Sequence, residues 1–380
     1  MKHAFYLLLG GFLFFTMQSC ADKINDELYH YTDDEYEILT RNLNLPEGTF
    51  DYSLVTNIPV QRDPDLPFHK ATLGRVLFYD NLLSRDESTS CASCHKQQLA
   101  FADNSKFSEG IDGQIGTRNS LPLGNTIGFV RYYGTDLTFP SGQFSWDESK
   151  ESINAQSEAA ITNPIEMGHE MSEVVDKIKA QDYYQVLFKK VYGENRITEA
   201  NVLDAVTEFV NSFSSRESLF DKGVEQDGTP YNQFSLFNES QNRGKELFNQ
   251  SCGNCHDANH NAIIMTAANN GLDLEYTDKG MGASTLNPSY DGVFKVPSLR
   301  NIELTGPYMH DGRFETLEEV VEHYSTGIRN HKNLNNFLKS GGQAKKFNFS
   351  TEQKEDLVAY LKTLTDNDFV TVEKYSDPFK

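Results

Sequence analysis

The chain has little cysteine, a single tryptophan, a shortage of positive charge and no apolar run of membrane-spanning length. Five cysteines in 380 residues argue against a disulfide-built scaffold, because a chain this long can bury a core without staples. Lysine and arginine number 34 against 55 aspartates and glutamates, a formal charge of −21. That balance excludes nucleic acid as an obvious partner, along with an electrostatic hold on anionic lipid. It suits a solvated surface or the steering of a basic protein partner. The N-terminal apolar run from Ala4 to Met17, behind Lys2, has the charge and length of a signal-peptide core and falls short of the ~20 residues a spanning helix needs.

The scarce cysteines are fully accounted for. Ser19 precedes Cys20 and a polar segment follows, so residues 1–20 are expected to be a signal peptide, with lipid attached to the Cys20 thiol after cleavage. Gln18 departs from the small residue usual there, and secretion with a free Cys20 is the alternative. The other four lie in Cys91-Ala92-Ser93-Cys94-His95 and Cys252-Gly253-Asn254-Cys255-His256. Two thiols three positions apart can each form a thioether to a haem vinyl group, and the next residue then offers an imidazole to the iron. Pairing the two C-x-x-C elements around zinc would have to bridge 161 residues and would leave both histidines unexplained. Two c-type haems are therefore expected, with Cys91, Cys94, Cys252 and Cys255 as anchors and His95 and His256 as iron ligands. Export agrees, since such attachment is completed outside the bacterial cytoplasm, and a membrane-anchored periplasmic lipoprotein is the expected state.

Length and two haem motifs predict two domains. Residues 21–57 read as a polar tether with at most a short helix, 58–225 as an N-terminal haem domain and 230–380 as a C-terminal one. The segment Asp221 to Pro230, rich in glycine and charge, reads as the boundary. Leu73 to Asp80 and Asn238 to Asn249 have helical spacing ahead of each motif. Thr198 can cap a helix with Val202, Ala205, Val206, Phe209 and Phe213 on one face, and Ser350 with Gln353 makes a capping box for another carrying Leu357, Tyr360, Leu361 and Leu364. Strand signals are sparse, so the fold class is mainly α, two cytochrome c-like domains each binding one covalent haem.

From about Pro59 to Leu364 the sequence resembles the bacterial di-haem cytochrome c peroxidases. The resemblance is carried by both haem motifs, Arg118-Asn119, Phe144-Ser145-Trp146-Asp147, Gln156, Asn163-Pro164-Ile165-Glu166-Met167, Val296 to Asn301 and Leu304 to Gly312. It implies a peroxidatic N-terminal haem, an electron-receiving C-terminal haem and a calcium ion between the domains. Glu166 matches the distal carboxylate, a group that could take a proton from the near peroxide oxygen and return it to the leaving one. Gln156 matches a distal-pocket neighbour. Trp146 matches the ring between the haems, with a plain core aromatic as the alternative. Asn119, Thr305 and Pro307 match the calcium ligands, oxygen donors suited to a hard cation; Asn119 could instead serve a turn.

Two positions depart from the best-known members. The loop Phe107 to Gln114 lacks the histidine that closes their first haem at rest, which implies an open first iron. Tyr324, fourteen residues after His310, stands where they place the methionine ligand of the second haem. That pattern is similar to the enzymes that mature tryptophan tryptophylquinone. Tyr324 is thus a candidate iron ligand, with Met309 the alternative, and a plain helix-face aromatic is the other reading of Tyr324. His310 is expected beside the second haem. The resemblance implies hydrogen peroxide reduction with electrons from a donor cytochrome c or small copper protein, and allows a homodimer. Oxidation of a partner protein's residues and non-catalytic electron transfer are the alternatives.

Overall fold

Two helix pairs carry the architecture, and each closes over a glycine. In the computed structural model, which describes residues 30–53, 68–126, 144–257 and 265–380, the helix His69–Tyr79 packs on Glu199–Asn211. A Cβ at Gly74 would lie 1.9 Å from the Ala205 carbonyl oxygen. The helix Glu239–Ser251 packs on Thr351–Lys362 in the same way, and a Cβ at Gly244 would lie 1.9 Å from the Asp356 oxygen. Only glycine lets the two backbones approach this closely. The expected signal peptide and Cys20 lie outside the described residues.

The predicted caps are formed. The Thr198 hydroxyl accepts from Asn201 N at 3.2 Å, and Ser350 and Gln353 cap each other's backbone N–H groups. Val202, Ala205, Val206 and Phe209 are buried, and with Phe78, Phe101 and Phe213 they form the first core. Phe101 and Phe213 stack with centroids 3.9 Å apart. The second core gathers Phe220, Phe234, Phe248, Leu357, Tyr360 and Leu361. Each buried large side chain contributes roughly 1.5–3 kcal/mol. Strand content among the described residues is slight: Ala267–Ala268 pairs antiparallel with Phe294–Lys295, and Lys339–Ser340 with Gln343–Ala344. No described helix is long and apolar enough to cross a membrane.

Three expectations about organisation need correction. Residues 30–53 are no free tether: the helix Asp33–Thr40 is capped by Thr32, and Leu39, Leu43, Leu45 and Tyr52 are buried in the first core. Their apolar spacing is diluted by acidic neighbours, which hides it in the sequence. The expected boundary at Asp221 to Pro230 is instead a helix, Leu219–Asp227, started by a reciprocal Ser218 and Asp221 cap, and its Phe220 belongs to the second core. The changeover falls between Phe213 and Phe220. Finally, Phe369 and Tyr375 leave the second half and pack on Phe213 and Phe101 of the first core. Arg75 Nε and the Tyr79 hydroxyl hold this return by donating to Ser376 O and Tyr375 O, both at 2.6 Å.

Candidate active site

The first C-x-x-C-H lies on a single helical turn, Cys91–Cys94, that Ser90 starts and His95 ends. His95 Nδ1 faces Phe101 O at 2.9 Å and the Ser120 hydroxyl at 3.2 Å. Bonding to the Phe101 carbonyl makes Nδ1 the donor and leaves Nε2 as the free lone pair. Burial lowers the His95 pKa, so the ring is neutral, as an iron ligand must be. His95 and Cys94 line a cavity of about 960 Å³ together with Gln156, Glu166 and Trp146.

Glu166 reaches that cavity through a turn organised by Asn163. Asn163 Oδ1 accepts from Ile165 N at 3.0 Å while its Nδ2 donates to Glu166 Oε1 at 2.9 Å. The Glu166 side chain is open to the cavity, yet the surrounding protein displaces enough bulk water that desolvation raises its pKa, with the Asn163 bond opposing. The loop Phe107 to Gln114 forms part of the same wall through Ser108 and Gly110, and Ile111 N donates to Glu166 O at 2.9 Å. Gln156 accepts from the Ser145 hydroxyl.

Ser145 belongs to a tight turn whose strands meet at Phe144 and Lys150 and in which Ser145 and Glu148 have φ of 66° and 50°. Left-handed backbone at two non-glycine residues costs about 1 kcal/mol or more each, and the turn is held by contacts on every side. Trp146 Nε1 donates to Asn119 O at 2.7 Å, Trp146 O accepts from Lys295 N at 2.7 Å, and Asp147 pairs with Arg118 at 2.8 Å. Arg118 also forks onto Asp278 of the second half, 2.7 Å from Nε.

The second motif leaves the helix Glu239–Ser251, and Cys252, Cys255 and His256 line an apolar crevice with Leu299, Ile302, Met309 and Tyr324. His256 Nδ1 faces Pro297 O at 3.2 Å, and burial pushes its pKa down to about 4. Half-buried imidazoles, each fixed by a carbonyl behind it and following the C-x-x-C thiols, fit covalent haem at both motifs, and the second adds an apolar crevice for the macrocycle. Met309 and Tyr324 share one partner: Asn270 Nδ2 donates to Met309 Sδ at 3.4 Å and a side-chain bond joins Asn270 to Tyr324, whose phenol pKa burial raises. The next residue, His310, lies between the two sites rather than beside the second alone. It lines both spaces, stacks on Phe294 at 3.6 Å and meets Trp146 edge-on at 6.4 Å.

Asn119, Thr305 and Pro307 line one crevice. Asn119 Nδ2 donates to Ser105 O at 3.2 Å, so its oxygen is the side-chain atom left for a cation. The described residues contain no cluster of three or more His, Cys, Asp or Glu able to hold a metal ion, and this oxygen set is of another kind. Sequence reasoning missed Lys295 and Glu148, a pair 3.5 Å apart with both side chains 5% exposed. Lys295 and Trp146 line both spaces. A residue 147 positions from its partner leaves no local pattern to find.

A family model described as di-haem cytochrome c peroxidase matches residues 68–229, and one described as cytochrome c matches 241–365. The chain is 32% identical over 317 residues to the methylamine utilization protein MauG of Methylorubrum extorquens, covering 81% of each chain. It is 32% identical over 303 residues to the cytochrome c551 peroxidase of Nitrosomonas europaea, covering 78% of this chain and 79% of that one. The crystal structure of a MauG-like protein associated with microbial copper homeostasis superposes with a TM-score of 0.71 at 30% identity, over 87% of this chain and 99% of that one.

Proposed function

Because the chain belongs to the di-haem cytochrome c peroxidase family, we propose that it reduces hydrogen peroxide to water with electrons from an external donor. The donor is a cytochrome c or a small copper protein, and the protein works after export to the periplasm. Cytochrome c domains imply c-type haems, which we assign to Cys91, Cys94 and His95 and to Cys252, Cys255 and His256. When bound, the first haem supplies an iron that coordinates and reduces peroxide.

The observation that carries this reading is Glu166, poised over the cavity that His95 faces, next to a loop with no histidine to fill it. Glu166 takes a proton from the near peroxide oxygen and returns it to the far one as water leaves. Its raised pKa suits both halves of that exchange, since a carboxylate too weakly basic would not hold the proton. Asn163 fixes the carboxylate and Gln156 flanks it. Trp146 and His310 line both spaces and would carry electrons between two bound haems, and Tyr324 or Met309 in the second crevice would be the residue available to ligate the second iron. A calcium ion held by Asn119 Oδ1 and the carbonyls of Thr305 and Pro307 would lock the halves in register.

A second reading, oxidation of residues on a partner protein, is favoured by Tyr324 in the second crevice and by the likeness to MauG. An anionic tyrosinate ligand favours the ferric state and lowers the potential, which disfavours ordinary electron acceptance. Steady-state assay separates the two. Peroxide-dependent oxidation of reduced cytochrome c or a small copper protein, strongly slowed in Glu166→Gln with both haems retained, supports the peroxidase. Oxidation of neither donor would contradict it.

A further inference from the structure

Asp80 ends the helix His69–Tyr79 and caps the next turn, its Oδ1 accepting from Leu82 N at 2.9 Å. That task needs one oxygen. The other, Oδ2, accepts from the hydroxyls of both Tyr183 and Tyr184, at 3.0 and 2.8 Å. The two rings lie 4.6 Å apart, and Asp80, Tyr183 and Tyr184 are all buried. A buried carboxylate held by two neutral phenols is costly where Leu or Phe would pack well, so the arrangement calls for a use.

Redox chemistry supplies one. A phenol that loses an electron becomes a strong acid and must lose its proton at once, so a tyrosine is oxidised readily only with a base at hydrogen-bond distance. Tyr184 has that base. Trp146 does not, because its N–H points at the Asn119 carbonyl, which cannot take a proton. Tyr184 also belongs to the core on which Cys91 of the first haem motif packs, and Cys91 is among the groups within electrostatic reach of its phenol. Burial raises the Tyr184 pKa, and the Asp80 carboxylate beside it adds to the effect. Burial likewise raises the Asp80 pKa, making it a better base than a surface carboxylate. The other charges facing the pair are Glu87, which bears on Asp80 and is itself paired with Lys177, and Asp182, which bears on Tyr183.

We propose that Tyr184, with Asp80 as its proton acceptor, is a redox-active site that holds an oxidising equivalent when no external donor is present. This rests on the peroxidase reading, which supplies the oxidant. With haem bound at Cys91, Cys94 and His95 and oxidised by peroxide, Tyr184 would give up one electron to it while its phenolic proton passes to Asp80 Oδ2. A neutral phenoxyl radical and a neutral carboxylic acid remain, and an electron from the donor returns both groups to their starting state.

Ferric holoprotein is mixed with equimolar hydrogen peroxide, freeze-quenched and read by electron paramagnetic resonance, with a matched sample carrying ring-deuterated tyrosine and the Soret band followed in parallel. The expected result is an organic-radical signal that narrows on deuteration, is lost in Tyr184→Phe and in Asp80→Asn, and persists in Tyr183→Phe. A Soret change without a tyrosyl signal, or a signal that survives Tyr184→Phe, overturns the inference and leaves the peroxidase standing. No Soret change, in the ferric protein and again after one-electron reduction, overturns the peroxidase reading and this inference with it.

Discussion

On the proposed peroxidase reading the proton chemistry falls to Glu166, and its environment then dictates a pH dependence. Desolvation raises its pKa, and the carboxylate is the form that accepts the peroxide proton. The reaction with peroxide should therefore slow as pH falls through that raised value, at higher pH than an unperturbed carboxyl at about 4.3 would give. Glu166→Gln should lower the rate by about 10² to 10⁴ and abolish this acid limb. Rapid-mixing rates across pH check both; an unchanged limb in the variant would assign it to another group. That Glu166 and Gln156 would share a cavity wall with His95 was legible because the Pro-Ile-Glu-Met context and Gln156 ten residues earlier are local. The Glu148 and Lys295 pair, the central place of His310 and the sharing of Asp80 by two tyrosines were not. Each is made by tertiary contact between residues far apart in the chain, and composition around each is ordinary.

Among the elements, the glycine-mediated helix pairs invite the plainest test. Gly244→Val would drive a branched side chain into the Asp356 carbonyl and Tyr360 Cβ, 1.9 and 2.9 Å from even a bare Cβ. It should cost at least 1–3 kcal/mol, seen as a lower denaturant midpoint, whereas an unchanged midpoint would mean that the helices can part freely. The helix Leu219–Asp227 is tied to the second half by Arg300, whose Nη1 and Nη2 donate to Asp221 at 2.8 and 2.7 Å. Burial opposes charge on Asp221, but the bonds from Arg300 outweigh it and the pKa lies below the usual value. A folded-state pKa below the unfolded one gives stability that is complete above about pH 5 and lost as pH falls through the depressed value. Asp221→Asn should cost about 3–5 kcal/mol near neutrality and less in acid; an equal cost at both would refute the linkage. Helices with a cap and an apolar face, such as Glu199–Asn211, could be read from sequence. Leu219–Asp227 could not, because Gly223 and its charged residues mimic a linker, and the return of Phe369 and Tyr375 to the first core follows from packing alone.

Across the whole molecule, Trp146, Lys295 and His310 line both motif-bearing spaces and so join them through one interface. If Asn119, Thr305 and Pro307 hold calcium there, elemental analysis should find one ion per chain. Chelation should then slow electron passage between the haems, reversibly on adding calcium back. A calcium-free protein with unaltered kinetics would contradict that site. The two-haem plan was legible in ten residues of sequence and the expectation of an open first iron in the histidine-free loop Phe107 to Gln114, whereas the lining of one cavity by Ser108 and Gly110 of that loop with Glu166 and His95 follows from the fold. Whether the first iron is open at rest is read by stopped-flow absorbance of the all-ferric protein. A fast Soret change on mixing with hydrogen peroxide, without prior reduction, is predicted; a protein inert to peroxide when ferric and reactive only after one-electron reduction would show the first iron closed by a ligand from elsewhere in the chain, and would contradict the account.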